Sequence, residues 1–302
     1  MNEIFDKMIL RIVFTAFICF TLILYKFAHI FLYPSSKQQL FKKFYPSKNT
    51  PDTIHLFGRI LGIGIVYSNF YFYISNGIIL ALTTFLIQAT LIFVVYLLSI
   101  YIIESIIFYN FEYIDEIIKR KNYSYAIISF TNTLSIALIL STVIRASENN
   151  FILFLLMWLL AMVILGFSIR SFPVVSKLSL NKLIVQKNIS VAFSYSGFIL
   201  GWTLIISSSL ENNMKDYVWY NIQVVLKILL SIIIFPLFRW GLIKIFKIEN
   251  DFRSDVLSDD GKELLGPEIG FGLYEGAIFL VSCLLTSVIT GNLFFGSFYP
   301  SY

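Results

Sequence analysis

The sequence predicts an all-α integral membrane protein with eight transmembrane helices, arranged as two parallel four-helix repeats. Three observations predict it. The 302 residues are 58% hydrophobic and only 14% charged, with a mean hydropathy of +0.80. A soluble domain of that length could not bury so much apolar surface. The apolar residues fall in continuous runs of about 20, the length of a bilayer-crossing helix, rather than in the alternating pattern of a barrel. Finally, one segment recurs: KNTPDTIHLFGRILG at 48–62 and KNISVAFSYSGFILG at 187–201.

The spans fall near 9–32, 53–72, 77–103, 123–144, 151–170, 189–209, 218–246 and 268–290. The first follows MNEIFDKMILR, which lacks the basic start and small-residue cleavage site of a signal peptide, so it should stay as a span. The second is the least apolar, holding His55 and Arg59. The third and fourth flank ESIIFYNFEYIDEIIKRKN at 104–122, whose mixture of apolar and charged residues suits a helix along the membrane surface. The fifth is uninterrupted. The sixth opens the second copy of the repeated segment. The seventh contains Pro236, which should kink or loosen its helix. The eighth follows KIENDFRSDVLSDDGKELLGP at 247–267, a polar stretch that reads as a solvated loop.

Basic residues mark one side. Lys37, Lys42, Lys43 and Lys48, then Lys119, Arg120 and Lys121, then Arg170, Lys177, Lys182 and Lys187, then Lys247, Arg253 and Lys262 follow the odd-numbered spans. The other side has only Lys7, Arg145 and Lys215. Retention of Lys and Arg in the cytoplasm therefore puts both termini outside it. The net charge of +5 has no basic domain or stripe behind it, so nucleic acid is not an expected partner. Cys19 and Cys283 lie in apolar runs and read as buried free thiols. With two histidines and no metal-spaced cluster, no metal, cofactor or enzymatic chemistry is expected.

The repeat pairs Asn49 with Asn188, Gly58 with Gly197, and Gly62 with Gly201. The same offset aligns Gln88 with Lys227 in the following span. The last spans align Tyr125-Ala126 with Phe271-Gly272, and Ser141 with Ser287. Four spans per half make the halves parallel, dividing the chain at 1–147 and 148–302 as a fused pseudo-dimer. Gly58/Gly62, Gly197/Gly201 and Gly272/Gly276 each have the spacing at which glycines let helix backbones approach in lipid. Asn49 and Asn188 are placed to cap helices.

This pattern of Asn, glycines, a polar mid-span residue and a glycine pair in the last span resembles the YjfL-like bacterial inner-membrane proteins, a domain of unknown function, here as two tandem copies. Asn188, Ser196-Gly197, Gly201, Lys227 and Gly272/Gly276 carry it in the second half; Asn49, Gly58, Gly62 and Gln88 carry it in the first. The resemblance implies a bacterial inner-membrane location and, through associated genes, envelope-stress partners. It supplies no catalytic residue.

Ionisable groups in hydrocarbon are costly and so attract functional hypotheses. Lys26, His29, Arg239 and Lys244 lie near helix ends, where they can snorkel. His55, Arg59, Gln88, Lys227 and Glu275 are the intramembrane candidates. Glu275 stands as the one acid well inside a span, continued by Cys283, Thr286 and Thr290. Arg59 and Glu275 are each about 7 residues past their entry, roughly 10 Å deep. They suit either an ion pair fixing the two halves or a proton or cation site. Lys227 either snorkels outward or faces a hydrated cleft. Two functions follow: a membrane-stress scaffold or adaptor, or a small channel or transporter for a cation, proton or polyamine. The bilayer is an expected partner of either, and a homo-oligomer is compatible with both.

Overall fold

The computed structural model describes residues 2–32, 49–68, 77–147, 150–211, 217–246, 269–293 and 295. They form helices α1 (Asn2–Leu32), α2 (Thr50–Tyr67), α3 (Ile78–Ile102), α4 (Tyr123–Ala146), α5 (Phe151–Ser176), α6 (Leu180–Val185), α7 (Ile189–Leu210), α8 (Tyr217–Phe246) and α9 (Ile269–Gly291). There is no strand among the described residues. Seven helices among the described residues are long and apolar enough to cross a membrane. The second expected span, α2, is not one of them, because Asp52, His55 and Arg59 lower its hydropathy. Residues 69–72 of that span, and the loop 247–267, lie outside the described residues.

The third and fifth spans end later than expected, each for a local reason. The third span does not stop at 103: α3 runs on through a wide π-helical turn, Ile103–Ile107, which draws Glu104 into it. The fifth does not stop at 170 but continues past Pro173 to Ser176 and ends where Lys177 turns left-handed, with φ 59°. The stretch 104–122 is helical in that turn and in a second π-helical turn, Ile114–Lys119. Helix α8 keeps its helical course through Pro236.

Helices α4 and α7 form the centre, each buried along most of its length. They lie side by side, joined by Thr131–Ser196 (2.6 Å between hydroxyls) and by Tyr195, which donates to Asn132 Oδ1 at 2.6 Å. Farther along, Arg145 donates to Glu211 at 2.8 Å. Residue numbers climb together along this seam, so the two helices run parallel. Within the halves, α2 packs on α4 and α7 packs on α9. The order across the bundle is therefore α2, α4, α7, α9. In a closed pseudo-dimer α9 would also return to α2, but no comparable packing joins those two helices.

The glycines set how closely these neighbours approach. A Cβ on Gly197 would lie 2.0 Å from the Gly276 carbonyl oxygen. One on Gly272 would lie 2.0 Å from that of Ser190, and one on Gly276 2.6 Å from that of Phe193. Helices α7 and α9 thus touch backbone to backbone, and Gly201 rests on Cys283. In the first half the contact is looser: Gly58 meets the Phe130 side chain and Cα, and Gly62 lies beneath the Tyr96 hydroxyl. Phe130 is the counterpart of Gly276, so a ring fills the space that the second half closes with backbone.

Candidate functional site: two buried charge clusters

Among the described residues each half holds an Arg–Glu–Ser cluster, toward the end of the bundle where α2, α4 and α7 begin. That end is built by asparagine caps. Asn49 Oδ1 accepts from Asp52 N at 3.3 Å, and Asn188 Oδ1 accepts from Val191 N at 3.2 Å. Asn122 caps α4 in the same way, through Tyr125 N at 3.2 Å. Its amide also donates to Glu116 and to the Ile184 carbonyl, tying the first half to α6. Lys121 and Lys187, just before two of these caps, are left-handed at φ 50° and 59°, which turns the chain sharply into each helix.

In the first half, Arg59 on α2 pairs with Glu104 in the π-helical turn after α3. Ser129 on α4 donates to the same carboxylate oxygen at 3.1 Å. His55, one turn before Arg59, has Nε2 3.2 Å from its guanidinium; arginine only donates, so this ring nitrogen accepts. The His55 ring packs on Tyr113, whose hydroxyl donates to Asp52 at 2.6 Å. Burial, and next the Asp52 carboxylate, hold the Tyr113 hydroxyl well above the ordinary tyrosine pKa, keeping it a donor. Tyr96 closes the cluster by donating to the Arg59 carbonyl at 3.1 Å. Beside it lies a cavity of about 10 Å³, room for one water, lined by Arg59, Glu104, Ser129, Asn132 and Thr133 among others.

In the second half, Arg239 on α8 faces Glu275 on α9 at 3.6 Å, and Ser194 on α7 donates to that carboxylate at 2.5 Å. Arg239 also donates to the Val175 carbonyl at 2.9 Å and sits 4.7 Å over the Phe279 ring. Both clusters are Arg–Glu–Ser, on the second, third and fourth long helices of a half. The roles are dealt differently: arginine, glutamate, serine in the first half, and serine, arginine, glutamate in the second. Ser129 and Glu275 occupy aligned positions, as do His55 and Ser194.

The sequence candidates therefore separate. Arg59 and Glu275 do not pair with each other; each has an opposite charge in its own half. Glu275 is not the one acid within a span, because Glu104 lies inside the extended α3. Arg239 turns inward to Glu275 instead of snorkelling. Cys19 is exposed on α1, whereas Cys283 is buried. Lys227 is buried near the opposite end of the bundle, where it donates to the Gly291 carbonyl at 2.8 Å. Gln223 holds Leu293 O (2.9 Å) and Phe295 N (3.1 Å) beside it. Lys227 thus sits on the negative end of the α9 dipole. Its sequence counterpart Gln88 is half-buried on α3 and belongs to neither cluster.

The architecture agrees with what the chain resembles. The family model for a domain of unknown function, DUF350, matches residues 4–144 and again 146–290. The chain belongs to the DUF350 family. It carries two tandem copies of the domain, and each copy holds one charge cluster. No curated protein and no solved structure matches this DUF350 chain.

Proposed function

We propose that this protein is an eight-span scaffold of the bacterial inner membrane, made of two parallel four-helix repeats with both termini outside the cytoplasm. Its cytoplasmic face serves to dock envelope-stress proteins, and it is not an enzyme. The observation that carries this reading is the local pairing of the intramembrane charges. Arg59 with Glu104, Arg239 with Glu275, and Lys227 with a helix terminus all spend their charge on holding helices together. The Arg59–Glu104 pair also supports α2 as a span, since it offsets the cost of the arginine. The basic loops after the odd-numbered spans support the orientation.

A second reading, a conduit for protons, a cation or a polyamine, draws on the water-sized cavity at Glu104. Flux in proteoliposomes separates the two. The scaffold reading expects proton, potassium and spermidine flux no greater than in empty vesicles, for wild type, Glu275→Gln and Lys227→Met alike. It also expects partner capture from membranes to be lost when loop 247–267 is replaced by a neutral linker. Flux above background that either substitution abolishes would establish the conduit and overturn the scaffold.

A further inference from the structure

The seam between the halves joins one face of α4 to one face of α7. The repeat reproduces both faces elsewhere, and there they are uncovered. On α4 the seam-side positions Ser124, Ile128, Thr131, Ser135, Ile139 and Thr142 recur at helical spacing and are all buried. Their counterparts on α9 are Gly270, Tyr274, Ala277, Val281, Leu285 and Val288, and every one is exposed. The contrast is large: Ile128 is 0% exposed and Tyr274, although it meets Phe246 of α8 edge-on, 44%, while Thr142 is 3% and Val288 62%. On α7, Ile199 and Thr203 are fully buried; their counterparts on α2, Ile60 and Gly64, are exposed, as is Phe57, the counterpart of Ser196.

The chain therefore ends in two unmatched halves of one interface. A junction of this kind is heterologous: it uses two different surfaces, and each added unit offers the same two surfaces again. We infer that a second copy of this chain covers these faces, with α9 of one copy packed along α2 of the next in the register of the internal α4–α7 seam. Repetition of that contact extends the row of repeats in the membrane plane.

The side chains fit that occupant. Where the internal seam pairs Thr131 with Ser196, the free faces bring small Ala277 opposite large Phe57. Phe57 already lies flat on Phe130, with ring centroids 5.8 Å apart, which fixes the surface it presents. Nothing lies within 4 Å of a Cβ built on Gly64 or Gly270, so both mark places where another helix can come close. Helix association in lipid rests on such packing, since lipid chains are as apolar as the side chains. Loss of the seam's polar pairs suits a contact assembled between folded copies, whose faces meet lipid beforehand.

Cysteine crosslinking in native membranes tests this, with Cys19→Ser as background because Cys283 is buried. One tagged copy carries Phe57→Cys and a second, differently tagged copy carries Ala277→Cys. Ile60→Cys with Val281→Cys repeats the test one turn farther along, should the first pair fold poorly. The expected result is a crosslinked dimer containing both tags with either mixed pair. That product should be lost when one partner cysteine is moved to Val94 or Ile233, which are exposed on other helices. Crosslinking of Phe57→Cys copies to each other would show a face that meets itself and overturn the head-to-tail contact. Absence of product from both mixed pairs in folded protein would assign these faces to lipid and also overturn it.

Discussion

Gly197→Leu is expected to prevent the second half from assembling, and Gly197→Ala to cost about 3 kcal/mol, the upper part of the usual overpacking range. The size follows from what the new atom meets. A Cβ at Gly197 would stand 2.0 Å from the Gly276 carbonyl oxygen and 2.4 Å from its carbon. Both belong to backbone, so no rotamer relieves the clash and α7 must move off α9. That separation also opens the contacts of Gly272 on Ser190 and Gly276 on Phe193. Gly241→Ala is the control, because nothing lies within 4 Å of its Cβ position. Reversible unfolding in detergent–lipid micelles measures both; equal stability of the two alanine variants would contradict the close α7–α9 packing.

Arg59→Met is expected to destabilise by about 3 kcal/mol, the low end of the scale for breaking a buried ion pair, since the Glu104 side chain keeps 20% exposure. Arg59 is 1% exposed, and removing it takes the guanidinium away from a Glu104 carboxylate oxygen that also has Ser129 at 3.1 Å and His55 Nε2 at 3.8 Å. Adding Glu104→Gln should restore much of the loss, since the neutral amide requires no counter-charge. A double variant no more stable than Arg59→Met would show that the arginine acts through packing alone. Unfolding of the four proteins in the cycle, under one detergent condition, reads the difference.

The fold was legible because hydrophobic run length and glycine spacing are local in sequence. The repeat was equally plain, since Lys-Asn and Ile-Leu-Gly recur at one offset. The same Lys-Asn stands at 121–122, where Asn122 makes a third cap that pairing the two repeats passes over. The charge clusters were harder to read. Depth in the membrane follows from counting residues, and it put Arg59 level with Glu275; the direction each helix faces does not follow from counting. Glu104 was hidden by a span that stopped one residue short, because a π-helical turn carries no hydropathy signature. Arg239 resembled any arginine near a helix end. The clusters also escape comparison of the halves, since aligned positions hold different residues: serine at 129 and glutamate at 275. The role of Lys227 needed the end of α9, 64 residues away, to be placed beside it.

The charges inside the bundle act as ties within each half. Double-mutant cycles on Arg239→Met with Glu275→Gln, and on Arg59→Met with Glu275→Gln, test it most directly. The first pair should show a coupling energy of about 1–3 kcal/mol, as groups in contact do, and the second should be additive within about 0.5 kcal/mol. Coupling between Arg59 and Glu275, or additivity between Arg239 and Glu275, would contradict the assignment.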